Sequence, residues 1–192
     1  MSIVELDSPD LTWGQHTVAG ADVPAGMVML HADAERPYRA VLVGFPDGWR
    51  RDVTGNQPAG EEMVVVSGAL HISGRTCGTG ELLVAEPHTT RAATSTEPGT
   101  RAVVWFTGAP GGWSEGEAEH PGKLDVVPIA PGLVRGPSAT LPGTIEVRDF
   151  VAGAVFDSDA DLVWPDTQRY LHLPAGTPAP QLPGRAVIRI WG

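Results

Sequence analysis

Short apolar runs, each closed off within a few residues by glycine, proline or aspartate, recur along this chain and restrict its fold more than any other feature. Runs of that length suit strands, whereas a buried helix needs an uninterrupted periodic segment roughly twice as long. Residues 27–30, 38–43, 62–66, 69–72, 81–85 and 102–106 are rich in β-branched or aromatic side chains and are predicted as strands. Residues 64–72 read as a hairpin turning at Ser67 and Gly68. With 24 Gly and 18 Pro among 192 residues, the chain is expected to be all-β, rich in turns and without long helices. Its 42% hydrophobic content suffices for one substantial core, built as one large β domain or two small ones.

The organisation along the chain is uneven. Residues 108–123 are dominated by Gly, Pro and acidic side chains with little to bury, and read as a linker or long surface loop. Beyond them the chain echoes its first part: PGTRAVVWFTG at 98–108 returns as PGRAVIRIWG at 183–192, and LLVAEPHTTRA returns loosely as YLHLPAGTPAP. A period of that length suits a duplicated barrel rather than a solenoid. The expected division is therefore a barrel with N-terminal strands over 1–110, a linker or surface loop over 111–124, and an abbreviated second half over 125–192 packing on the first.

Composition excludes several classes of partner. A formal charge of −10 disfavours nucleic acid and anionic membrane surfaces, which need clustered Lys and Arg. No apolar run approaches the roughly 18 residues of a membrane span, and the N-terminus lacks a secretory pattern, so a cytoplasmic protein is expected. The single cysteine, Cys77, excludes an internal disulfide and a multi-cysteine zinc site. The six tryptophans are expected to be mainly packing residues. No P-loop, GxSxG or HExxH signature is present.

Two segments carry chemistry. Residues 55–70, GNQPAGEEMVVVSGAL, place Pro58, Gly60, Glu61 and Gly68 in a turn, strand and turn frame. Residues 80–91, GELLVAEPHTTR, place Gly80 and Glu81 before an apolar strand that ends at Pro87. On these residues the chain over about 38–106 resembles the cupin superfamily, and within it the anti-sigma-factor and acetylacetone-type subgroup. The resemblance implies a jelly-roll barrel and allows a homodimer formed by strand exchange or sheet packing. It also implies a metal held by two histidines and a glutamate of the first motif and a histidine of the second. Here the two first-motif histidine positions are Gly55 and Gln57, the glutamate is Glu61, and the second-motif histidine position is Arg91.

Ligand chemistry then argues for a cavity without metal. Glycine offers no side chain, an amide oxygen is a weak donor and a guanidinium repels a cation. No cofactor is therefore expected. A carboxylate left in a barrel interior is costly unless a cation compensates it, so Glu61 and Arg91 are expected to face each other in the pocket. Glu61 is the candidate acid/base and Arg91 the candidate anchor for an anionic substrate, with His88, in a turn at the expected cavity mouth, as a further acid/base candidate. Gln57, Tyr38, Trp49 and Trp105 are candidate ligand contacts, although strand alternation admits only one of Tyr38 and Arg39 to the barrel. The same alternation turns Glu62 to the opposite face, where solvent is expected.

The function these features favour is a metal-independent enzyme of small-molecule metabolism. It would catalyse a non-redox isomerisation, cyclisation or dehydration of a small anionic substrate. The rivals are a non-catalytic binding or regulatory cupin and a metal-dependent dioxygenase or isomerase with atypical ligands such as Gln57, His88 or His31.

Overall fold

The structure, a computed structural model that describes residues 2–192, consists of antiparallel β-sheets and one 3-10 turn at Pro165–Thr167 among the described residues. Its contacts divide it into one unit over Leu11–Pro128 and another formed by Ile129–Gly192 with the N-terminal residues up to Asp10. These boundaries differ from those read in the sequence. Leu124–Pro128 is an edge strand of the first unit because it pairs with Glu81–Ala85. Val4–Glu5 belongs to the other unit, paired with Arg169–Leu173.

The larger unit is a two-sheet barrel. Its seven-stranded sheet runs in the order Leu124–Pro128, Glu81–Ala85, Gly60–Ser67, Arg101–Thr107, Tyr38–Gly44, Ala25–Ala32 and Gly14–His16. A four-stranded sheet holds Arg50–Arg51, Thr94–Thr96, Ala69–Ile72 and Arg75–Gly78. All six predicted strands lie within observed ones. One core cluster takes alternate residues from both sheets, among them Val41, Val43, Met63, Val65, Leu83 and Val104 from the large sheet and Leu70, Ile72 and Cys77 from the small one. Burying each Val, Leu, Ile or Met contributes about 1.5–3 kcal/mol, so a charge at Val65 would break this unit.

The predicted hairpin at Ser67 and Gly68 is instead a corner at which the chain leaves one sheet for the other. Gly60–Ser67 pairs with Glu81–Ala85 and Arg101–Thr107, whereas Ala69–Ile72 pairs with Arg75–Gly78 and Thr94–Thr96. Gly68 makes the corner at φ 70°, and a Cβ there would collide with Thr100, whose Oγ1 accepts the Ala69 N–H at 3.1 Å. The true hairpin follows it, turning at Ser73 and Gly74, both at positive φ as a primed two-residue turn requires.

The other unit repeats the connectivity in shortened form. Its strands Arg169–Leu173, Ala160–Trp164, Ala186–Ile190, Thr144–Arg148 and Val134–Arg135 are ordered like Glu81–Ala85, Gly60–Ser67, Arg101–Thr107, Tyr38–Gly44 and Ala25–Ala32 of the first. The repeated sequences fall on equivalent strands, residues 98–108 with 183–192 and the LLVAEP strand with the YLHLP strand. Where the first unit inserts the small-sheet hairpin, this one passes directly through Pro165–Thr167, and Gln168 closes the turn at φ 49°. It is an abbreviated copy of the first unit's large sheet, without the second sheet. Its fully buried Asp161 is satisfied by the Tyr170 hydroxyl at 2.7 Å, the Trp191 indole N–H at 3.1 Å and His172 Nδ1 at 2.9 Å.

Candidate functional site

A cavity of about 330 Å³ lies within the larger unit. Most of its wall is apolar, from Met27, Val43, Phe45, Trp49, Met63, Leu70, Ile72, Val104, Phe106 and Trp113 among others. Four charged side chains reach it: Glu61, Arg39, Arg51 and Arg91. A chain of net charge −10 thus presents three guanidinium groups and one carboxylate to a single small hollow.

The backbone brings the motif positions together. Gly55 and Arg91 exchange two hydrogen bonds, of 3.1 and 2.8 Å, in an isolated β-bridge. Glu61, on Gly60–Ser67, shares its inward face with Met63 and Val65. The Arg91 Nη2 donates to Glu61 Oε2 at 3.1 Å, and Gln57 Nε2 donates to the same oxygen at 3.3 Å. Arg91 is 2% exposed and also donates from Nη1 to the Thr89 carbonyl at 3.3 Å, while the Glu61 side chain is 15% exposed. Both bonds to Glu61 end on Oε2, which leaves Oε1 unengaged on a cavity-lining side chain.

The other two cations enter from different sheets. Arg39, on Tyr38–Gly44, stacks 4.3 Å from the centre of the Phe106 ring and donates to the Gly108 carbonyl at 3.0 Å. Burial lowers its pKa, against a smaller opposing effect from Glu61. Arg51, on the two-residue strand paired with Thr94–Thr96, lies 4.3 Å from the centre of the Trp113 ring and donates from Nη2 to Thr94 Oγ1 at 3.4 Å. It is only 6% exposed and its buried Nε has no hydrogen-bond partner. Burial, and then the like charge of Arg91, push its pKa down to about 10, with Glu61 acting the other way. It is a cation at neutral pH whose surroundings oppose its charge.

These residues do not fit the metal that a cupin frame implies. Among the described residues no three His, Cys, Asp or Glu side chains are grouped so as to hold an ion. At Gly55 a side chain is excluded: a Cβ would collide with Trp113 Cζ2 and lie 2.6 Å from Ser114 O. The indole fills the space where a first-motif histidine would begin, and Arg91 fills the second-motif position with a fixed positive charge.

The structure sorts the sequence candidates. Glu61, Arg91, Gln57 and Trp49 line the cavity, Trp49 with its Nε1 donating to Val23 O at 3.0 Å and its ring 4.7 Å from that of Phe45. Tyr38 does not line it; Arg39, its neighbour in the alternating strand, does. Trp105 is fully buried but faces the opposite way, and Val104 and Phe106 supply the wall. His88 lies in an exposed turn at φ 61° with Nδ1 3.2 Å from Asn56 Oδ1, outside the cavity lining. Glu62 points away from the cavity as alternation requires, yet it is fully buried rather than solvated, as are Leu42, Val64 and Leu82 on that face.

Arg51 and Trp113 were not among the sequence candidates. Alternation after Trp49 was the available signal for Arg51, since only one of Arg50 and Arg51 can be buried. Trp113, the large apolar residue in the segment read as a linker or surface loop, was the signal that this segment returns to the barrel. Ser114–Glu115 pairs with Gly55–Asn56 and holds it there.

Neither a family model nor a curated protein matches the sequence. Solved structures do. A provisionally named dioxygenase of Nostoc punctiforme superposes over 98% of this chain and 81% of its own, with 11% identity and a TM-score of 0.72. The YlbA protein of E. coli, of the DUF861 family, covers 99% of this chain and 90% of its own at 12% identity and a TM-score of 0.52. A provisionally named glyoxylate-induced protein of Pseudomonas aeruginosa covers 91% and 83% at 14% identity and 0.53. At such identities the likeness speaks for fold alone. With the sheet order described above, it shows that this chain has the cupin fold, as a barrel followed by an abbreviated cupin-like half.

Proposed function

We propose that this cupin barrel is a metal-independent enzyme that moves a proton on a small anionic substrate, in a non-redox step such as isomerisation, cyclisation or dehydration. The observation that carries the reading is the state of Glu61. Its Oε2 is fixed by Arg91 and Gln57 while Oε1 is left open in a hollow ringed by guanidinium groups. A carboxylate held in this way is oriented for proton transfer. In the proposed step Oε1 removes a proton from the carbon next to a substrate carbonyl or carboxylate. The negative charge that develops on the substrate oxygen is met by guanidinium N–H donors, and the proton is returned to another atom or lost with a hydroxyl as water. Apolar walls exclude bulk water from the intermediate and raise the worth of each charge contact.

Solvent exchange tests the reading. Small carbon acids incubated with the protein in D2O are followed by proton NMR, and loss of the α-proton signal is expected with wild type and not with Glu61→Gln. A ligand bound equally by both proteins, with no exchange and no product in either, would assign the cavity to sensing instead.

A further inference from the structure

The pair of Glu61 and Arg91 is neutral, which leaves Arg39 and Arg51 in excess in the same hollow. We propose that these two arginines bind the two ends of a dicarboxylate with an apolar body, so that the substrate class is a dianion and not a simple monocarboxylic acid. The inference rests on the proposed function in taking this cavity as the substrate site, and it concerns recognition rather than the proton transfer.

Three observations carry it. Arg51 is nine-tenths buried with an Nε that no protein atom satisfies, an arrangement that costs stability unless a ligand acceptor completes it. Its guanidinium carbon already lies 4.3 Å from the centre of the Trp113 ring, which holds the group at the cavity wall where a carboxylate can reach it. Arg39 is likewise stacked, on Phe106, and partly desolvated. One buried and one half-buried cation without carboxylate partners are unfavourable in the free protein, and a ligand carrying two negative charges relieves both penalties.

Placement selects the chemistry of the dianion. Arg39 stands on the seven-stranded sheet and Arg51 on the four-stranded one, with Leu70, Ile72 and Val104 also lining the cavity. A phosphate monoester concentrates its charge at one end. A dicarboxylate separates its charges across an apolar middle, matching cations on two walls of an apolar hollow. Its two charges also leave Glu61 paired with Arg91 and available as a base.

Calorimetric titration with matched probes tests this: hexanoate, the dicarboxylates from succinate to pimelate, and hexyl phosphate. At least one dicarboxylate is expected to bind about 10- to 100-fold tighter than hexanoate, the range for gaining one charge-assisted contact. Arg51→Gln and Arg39→Gln should each remove that advantage, while Glu61→Gln should bind the dicarboxylate at least as tightly as wild type. Arg51→Lys keeps the charge over Trp113 and should retain part of the preference, which guards against a folding defect in Arg51→Gln. Hexanoate binding as tightly as every dicarboxylate, hexyl phosphate binding best, or a dicarboxylate affinity indifferent to both arginines would overturn the proposal. Loss of proton exchange in Glu61→Gln with the dicarboxylate preference intact supports both readings. Intact preference with no exchange in wild type defeats only the catalytic one.

Discussion

Replacing Arg91 by Met removes a charge of similar shape and leaves Glu61 with only Gln57 on its engaged oxygen. At 3.1 Å the attraction between two unit charges is about 5 kcal/mol for an effective dielectric near 20. Breaking a fully buried pair by deleting one partner costs about 3–5 kcal/mol. Glu61 is 15% exposed and borders a cavity that water can enter, and Arg39 and Arg51 still act on it, so the expected loss is smaller, about 2–3 kcal/mol. Glu61→Gln should cost a similar amount, because Arg91 then faces the like charge of Arg51 with only neutral acceptors, the Thr89 carbonyl and the introduced amide oxygen. The double variant removes both charges and should be less destabilised than the sum of the singles, by about 2 kcal/mol. Urea unfolding at pH 7 with an unchanged slope measures all three. Additivity within about 0.5 kcal/mol would refute an energetic pair at the centre of the barrel.

Other expectations follow from single features. Gly55→Ala should destabilise by about 1–3 kcal/mol in thermal or urea unfolding, since its Cβ collides with Trp113 and Ser114 O, and Trp113→Ala should recover only part of that loss. Cys77, whose thiol is pushed up to about 12 by burial and then by the charge of Glu81, should be silent towards a thiol reagent at pH 8 and react only on unfolding. Asp33 is held down to about 2 by hydrogen bonds from the Arg36 and Glu35 backbone N–H groups and from the Arg36 side chain, against an ordinary 3.8. Its folded pKa lies below the unfolded one, so its stabilising effect is full above about pH 4 and disappears as pH falls through 2. Asp33→Asn should therefore lower stability at pH 6 and match wild type near pH 2.

The sequence showed most where spacing and residue type act together. Glu61 and Arg91 could be paired because the resemblance to the cupin motifs aligns both with metal-ligand positions and because an interior carboxylate needs a cation. Alternation fixed that Tyr38 and Arg39 differ in direction but could not say which enters; the register with Arg101–Thr107 decides it, Phe106 lying opposite Arg39. The same parity sends Phe106 rather than Trp105 into the cavity. Glu62 shows the limit of the rule, since alternation gives a direction and not the exposure of the face reached. Ser67 and Gly68 have the composition of a hairpin turn, and only the pairing of the following strand reveals a corner between sheets. Arg51 sits on a strand of two residues, too short to announce itself, and Trp113 lies in a segment whose Gly, Pro and acidic neighbours mask a half-buried indole that lines the cavity.

Elemental analysis of the purified protein, beside Glu61→Gln prepared in the same way, tests the central claim that a carboxylate and a guanidinium occupy the place of an ion. The account predicts that iron, manganese, nickel and zinc are all far below one per chain and do not differ between the two proteins. A stoichiometric metal in wild type that is lost in Glu61→Gln would contradict it.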